Sequence, residues 1–168
     1  MSCIAMSPTP IVIRPERPDH PQVRHLLQQL DAYLATLYAP EENFILDEQA
    51  LLDPEISFLV AEQDDCVVGC GAVRRMPGEQ ETDRRPYGEI KRMMVTPALR
   101  GQRIGVRLLS SLESLLRDEG VGRALLETGG LQAEAVRLYE RCGYRRRPAF
   151  GGYPDNGLSL FFEKALFA

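Results

Sequence analysis

The chain has 168 residues, 44% of them hydrophobic and 26% charged, with a formal net charge of −4. That length holds about one domain with a single sizeable core, which leaves little room for a second functional domain. The mild acidity argues against general nucleic-acid binding, and no apolar run approaches the ~20 residues of a membrane span.

The first ten residues, MSCIAMSPTP, have neither a basic start nor an apolar core. They read as a flexible tail (1–10) before one domain at 11–168, not as a signal peptide, and so imply a cytoplasmic protein. Residues 11–14 (IVIR) are a short β-type run. Asp19 opens a helix with Gln22 in the place of a capping box; Val23, Leu26, Leu27, Leu30, Leu34 and Leu37 follow at the helical period until Pro40 stops it. An acidic stretch at 41–54 holds a weak helical segment at 48–52. Residues 56–61 and 66–73 read as the strands of a hairpin turned at Asp64-Asp65, and Gly69 and Gly71 predict a bulge or a close backbone approach. The polar stretch 76–87, MPGEQETDRRPY, holds too many breakers for regular structure.

A central strand then runs from Gly88 to Pro97, followed by a loop with Arg100 and Gly101 and a helix opening near Arg103. Ile104, Leu108, Leu109, Leu112, Leu115 and Leu116 form that helix's apolar face, which stops around Gly120 and Gly122. Residues 124–127 read as a buried strand and 128–130 as a turn. A second helix at 132–142 turns Ala135, Leu138, Tyr139 and Cys142 inward, with Gly143 as its left-handed cap. Residues 144–147 and 158–164 are the last two strands, joined by PAFGGYPDNG. The fold class is α/β: three antiparallel strands, a strand-helix-strand crossover and a terminal hairpin make a twisted mixed sheet of about six to seven strands with helices on both faces.

The other elements are arranged around the stretch GEIKRMMVTPALRGQRIGVRLL, from Gly88 to Leu109. First-turn N–H groups of a helix have no intrahelical partner and the helix dipole favours an anion there, so strand, loop and helix start together suit a polyphosphate. Arg100, Arg103 and Arg107 add charge-assisted bonds, or else form a solvated helix face. Arg100-Gly101-Gln102-Arg103-Ile104-Gly105 resembles the Q/R-x-x-G-x-G/A loop of the GNAT superfamily of acyl-CoA-dependent N-acetyltransferases, with Arg103 where the first motif glycine usually stands. QAEAVRLYERCGY, from Gln132 to Tyr144, is similar to that family's N-x-x-A-x-x-L-Y-x-x-x-G-F, with Gln for Asn and Tyr for Phe. The element order is similar to the GNAT fold as well, so the resemblance covers nearly all of residues 11–166.

The resemblance implies an N-acetyltransferase that takes acetyl-CoA as co-substrate, uses no metal, and acetylates a primary amine of a small molecule by direct attack in a ternary complex. It lays the pyrophosphate over the backbone of Gln102, Arg103, Ile104, Gly105 and Val106 beside Arg100 and Gly101, the pantetheine arm along Met93, Met94 and Val95, and a further contact at Gln132. The Met-Met-Val run equally suits core packing. Glu89, six residues before Val95 and so read as sharing its face, takes the place of the general base. A carboxylate near ~4.3 accepts poorly from an amine, so relay through water is the form expected; an ion pair with Lys91 is the alternative. Tyr139 takes the place of the hydroxyl that meets the thioester sulfur, against the alternative of a core aromatic.

Two further readings stay open: a CoA-binding GNAT-fold sensor or scaffold without catalysis, and a protein or peptide N-acetyltransferase. Arg145-Arg146-Arg147 reads as a solvated edge or a contact near the CoA 3′-phosphate, with no nucleic-acid or membrane partner expected. Cys3, Cys66, Cys70 and Cys142, with His20 and His25, show no zinc-type spacing and read as reduced thiols. Segments 33–52, 76–87 and 150–157 correspond to the family's acceptor walls. The acids Asp31, Glu41, Glu42, Asp47, Glu48, Asp53 and Glu55, in or beside these segments, predict a cationic amine. Homodimers are common in the family, although no segment here specifies an interface.

Overall fold

The structure, a computed structural model, describes residues 9–167; Cys3 and residues 1–8 of the expected tail lie outside them. Seven strands form one sheet in the order β1-β2-β3-β4-β5-β7-β6. They are β1 (Val12–Pro15), β2 (Ile56–Gln63), β3 (Cys66–Met76), β4 (Tyr87–Val95), β5 (Arg123–Gly129), β6 (Arg145–Arg147) and β7 (Ser159–Ala165). The helices are α1 (Pro21–Leu37), α2 (Glu48–Leu51), α3 (Ile104–Asp118) and α4 (Ala133–Arg141). This is the mixed, two-sided architecture expected from the pattern, and among the described residues no helix is long and apolar enough to cross a membrane.

Each face buries one helical stripe. Leu108, Leu109, Leu112 and Leu116 of α3 pack with Tyr139 of α4 against Leu59, Val73, Ile90, Leu126 and Phe162. On the other face, Val23, Leu26, Leu27 and Leu30 of α1 pack against Phe58, Val60, Cys70, Ala72 and Met94, while Phe150 of the last loop joins Tyr87, Leu125 and Phe161. The Asp64-Asp65 turn forms as expected: both residues have positive φ, 51° and 60°, which matches the twist of a tight hairpin.

Several local readings need correction. His20, not Asp19, caps α1: its Nδ1 accepts from the Gln22 N–H at 3.3 Å, because Arg17 holds the Asp19 carboxylate at 2.8 Å. Gln22 is no capping-box partner; its side chain ties α1 to the hairpin turn, donating to the Asp65 carbonyl (3.1 Å) and accepting from the Val67 N–H (2.7 Å). The 76–87 stretch is more ordered than its composition suggests. β3 runs to Met76, a 3₁₀ turn spans Gln80–Thr82, and the Arg123 guanidinium donates to the carbonyls of Thr82 (2.6 Å) and Arg85 (3.1 Å). β5 likewise continues through the expected turn to Gly129, which pairs with Ser159.

The expected bulge and the expected close approach both form on β3: Ala61 pairs with Gly69 but Glu62 with Val67, which leaves Val68 as an extra residue, and at Gly71 an added Cβ would stand 2.5 Å from the Met93 sulfur. A second bulge lies opposite on β4. Cys70 pairs with Met94 but Ala72 with Lys91, so β4 carries one extra residue there, and Arg92 takes the strained φ of 58°. An extra residue inverts the alternation of faces. Glu89 therefore does not share a face with Val95: Met93 and Val95 pack on the α3 side, whereas Glu89 and Lys91 lie on the α1 side.

β4 and β5 are the parallel neighbours, as the crossover through α3 requires, and they pair only at Gly88–Ala124 and Glu89–Leu125. Beyond those rungs the strands part. This gap positions everything that follows.

Candidate active site

A cleft of about 1020 Å³ opens on the α3–α4 side of the gap. Its lining brings together Met93, Met94, Val95, Arg100, Gly101, Arg103, Ile104, Gly105, Val106, Gln132 and Tyr139 from the sequence-derived set. Gln102 is exposed and stands outside that lining. Arg103 is the N-cap of α3 with φ 64° and offers no side-chain cap, so the first-turn N–H groups of α3 lack a protein acceptor from it. Gly105 forms part of the floor: a Cβ there would come 3.3 Å from Leu138 Cδ2 and 3.8 Å from Val95 Cγ2.

The charge around the cleft is one-sided. Arg100 pairs with Glu134 (3.2 Å) and Lys164 with buried Glu113 (2.9 Å), whereas Arg103, Arg137 and Arg141 have no carboxylate partner among the described residues. Arg107 turns away and donates to the Ile11 carbonyl at 2.9 Å. Arg146 and Arg147 lie over Phe162 and Phe150, and Arg147 pairs with Glu163 at 2.6 Å, while Arg145 and Arg146 remain exposed, so this run is a solvated edge tied down at Arg147. Arg137 and Arg141 escaped the sequence reading, although their spacing of four on one helix puts them on a common side.

A smaller cavity of about 90 Å³ lies on the α1 side, with room for a few waters or the tip of a ligand. Tyr38, Phe44, Ile45 and Leu158 surround Lys91 and Glu127 in its lining. Tyr38 is held by the Leu131 N–H, which donates to its oxygen at 2.9 Å, and by the bare Gly129, where a Cβ would sit 2.0 Å from that oxygen. Leu30, Met93, Gln132 and Tyr139 line both cavities, so the two meet through the β4–β5 gap.

Tyr139 stands at that junction. Its ring is buried against Tyr144 (5.9 Å between centroids) and Phe162 (6.4 Å), yet its hydroxyl has no hydrogen-bond partner among the described residues. Burial pushes the phenol well above its ordinary value, with Glu127 and then Cys142 adding smaller contributions, so the proton stays on oxygen as a donor.

Glu89 lines neither cavity and is 1% exposed. Arg74 donates to its carboxylate at 2.8 Å, the Tyr153 hydroxyl donates to it, and Lys91 Nζ stands at 3.6 Å. The Lys91 pairing is thus present, as part of a larger closed network. Lys91 also donates to the Tyr153 oxygen (2.7 Å) and the Phe44 carbonyl (3.1 Å), and burial pushes its ammonium below the ordinary lysine value. Glu127, half-buried on β5, was missed in the sequence, where it read only as the end of a buried strand. Burial pushes its carboxyl up, against the opposing effects of Ser159 and Lys91.

Residues 22–144 match the model of the Acetyltransferase (GNAT) family. The chain is 44% identical over 156 residues to an IAA acetyltransferase of Azospirillum brasilense, covering 93% of this chain and 98% of that one. A crystal structure from Klebsiella pneumoniae subsp. pneumoniae MGH 78578, assigned as an acyl-CoA N-acyltransferase, superposes with a TM-score of 0.76 at 33% identity, covering 94% of this chain and 98% of the other. The PaiA N-acetyltransferase of Thermoplasma acidophilum, crystallised with coenzyme A, shares the fold at a TM-score of 0.71 and 18% identity, over 93% and 99% of the two chains.

Proposed function

The chain belongs to the GNAT family of acetyltransferases, and we propose that it transfers the acetyl group of acetyl-CoA to a primary amine of a small molecule by direct attack in a ternary complex. The observation that carries this reading is the meeting of two cavities at the unpartnered Tyr139 hydroxyl, one cavity rimmed by cations and the other mixing polar groups, Lys91 and Glu127 among them, with Phe44, Ile45 and Leu158.

Acetyl-CoA supplies an activated acyl thioester. The residues present fit it: uncapped N–H groups at the start of α3, the Gly105 floor, and Arg103, Arg137 and Arg141 free to meet phosphate oxygens. The edge of β4 at 93–95, unpaired with β5, has backbone groups to offer the amides of the pantetheine arm. In the transfer a nitrogen–carbonyl bond forms, the carbon–sulfur bond breaks, one proton leaves the nitrogen and one reaches the sulfur. Tyr139 donates to the sulfur as charge develops there. Because a thiol near 8.5 holds its proton less tightly than a phenol raised by burial, the donor's part is hydrogen bonding rather than early proton transfer.

The acids expected to attract a cationic acceptor are mostly engaged elsewhere. Asp31 binds Arg92 (2.5 Å), Glu48 binds Arg24 (2.6 Å), and Asp47 caps α2 by accepting from the Ala50 N–H (2.8 Å); of that group Glu42 lines the cavity. With Ile45 and Leu158 exposed at its mouth, the cavity suits an amine on an apolar arm better than a polycation. A thiol-release assay with acetyl-CoA against arylalkyl amines, amino acids, polyamines and peptides tests the reading. Amine-dependent release, greatest for apolar-armed small amines, is expected. If no amine raises release above water while acetyl-CoA still raises Tm, the chain is a CoA-binding module; turnover of peptides alone makes it a peptide acetyltransferase.

A further inference from the structure

We infer that Glu127 on β5, rather than Glu89 on β4, takes the proton from the acceptor amine, directly or through one water. The inference rests on the acetyl-transfer reading above and names the group that serves it.

Position along the two strands makes the first distinction. Glu89 pairs with Leu125 at the last rung before β4 and β5 part, whereas Glu127 lies two residues further on, where the strands have diverged and the two cavities meet. Both carboxylates occupy the α1 side of the sheet, one behind the other. Glu127 lines the small cavity together with Tyr139, and Glu89 lines neither.

Chemical saturation makes the second. A carboxylate has about four acceptor sites. Those of Glu89 meet Arg74, Tyr153 and Lys91, so protonating it would break a buried charge network. Glu127 accepts no side-chain hydrogen bond among the described residues and lines the cavity, with Ser159 and Lys91 near enough to oppose the effect of its burial. The groups facing it are Lys91 and Glu89 from β4, Tyr38 from the end of α1, Tyr139 from α4, Tyr153 from the last loop and Ser159 from β7. Lys91, which lines the same cavity, favours the ionised form of Glu127 and so opposes the effect of burial. Burial, the largest influence on Glu127, narrows the gap between its proton affinity and that of an amine, which is what a general base requires.

The proton balance closes through solvent. The nitrogen's proton goes to Glu127 on one side of the gap and from there to solvent, while on the other side Tyr139 hydrogen-bonds the departing thiolate, which takes its proton from solvent.

Single-turnover transfer to a primary amine, followed across pH for wild type, Glu127→Gln and Glu89→Gln, is the test. Glu127→Gln is expected to slow transfer by about 10²-fold and to remove the acid limb of the profile. Its acetyl-CoA-induced Tm rise should stay as in wild type. A wild-type rate and acid limb in Glu127→Gln, or loss of the limb in Glu89→Gln alone, overturns the assignment. A readout that needs no turnover is carboxyl-¹³C titration of the resting protein, with the Glu127 signal identified by its loss in the Gln variant. That signal should titrate above the ~4.3 of a free glutamate, and an ordinary value overturns the inference. If wild type acetylates no amine, the transfer reading itself fails, and the ¹³C titration still decides the state of Glu127.

Discussion

Replacing Tyr139 with Phe removes one oxygen at the junction of the cavities and leaves the ring in place. The contacts to Tyr144 and Phe162 are made by the ring and persist. No hydrogen bond among the described residues is lost and the hydroxyl faces the cavities, so the variant should melt close to the wild-type temperature. What disappears is a preorganised donor that works only as charge builds on the sulfur. Removing one such donor slows related reactions by about 10²-fold, equivalent to about 2.7 kcal/mol at the transition state. Single-turnover quench-flow with saturating acetyl-CoA and amine reads that step free of product release. A Phe variant that turns over within twofold of wild type would make Tyr139 a packing residue with no part in the transfer.

Gly105→Val adds methyl groups where a Cβ already stands 3.3 Å from Leu138; calorimetry or thermal shift should show the acetyl-CoA-induced rise in Tm lost while the apo protein still melts cooperatively. Gly129→Ala drives Tyr38 out of its seat, which should raise KM for the amine several-fold and leave KM for acetyl-CoA unchanged in steady-state assays. Glu113→Ala strips the acceptor from Tyr144, Lys164 and Arg117; urea unfolding should show a loss on the order of 2–3 kcal/mol, short of a fully buried pair because Lys164 and Arg117 reach solvent. The raised Glu127 carboxyl means that the folded protein keeps a proton which the unfolded chain releases, so stability falls as pH rises from the ordinary glutamate value through the raised one; in Glu127→Gln that part of the Tm–pH slope should vanish.

Elements with strong periodicity were legible in the sequence because one physical cause sets both pattern and structure. The leucines of α3 repeat at the period that buries one stripe, and Asp64-Asp65 is a turn that tolerates positive φ. The cofactor side could be read for the same reason: a loop and a helix start are local in sequence, and Arg100 to Val106 fall together whatever surrounds them. The acceptor side was legible only in part. Of the three segments expected to wall it, 33–52 supplies Leu34, Tyr38, Glu42, Asn43, Phe44 and Ile45, whereas 76–87 and 150–157 supply nothing to the cavity lining, and the β4 bulge and the end of β5 reach it only through the tertiary fold. No local signal announces that Arg92 adopts a left-handed conformation, yet that one residue moves Glu89 to the face opposite Val95. Glu127 did carry a faint signal. In ALLET, Leu125 and Glu127 alternate with Ala124, Leu126 and Thr128, and a carboxylate on so apolar a strand invites the question of what it faces.

Mass spectrometry tests direct transfer most plainly. Protein is mixed with a stoichiometric amount of acetyl-CoA, with and without an apolar-armed primary amine, and the intact protein and the small molecules are weighed. Direct transfer gives acetylated amine and free coenzyme A when amine is present, and a protein of unchanged mass in both mixtures. A protein that gains an acetyl group when the amine is left out, and passes it on when the amine is added, would contradict it.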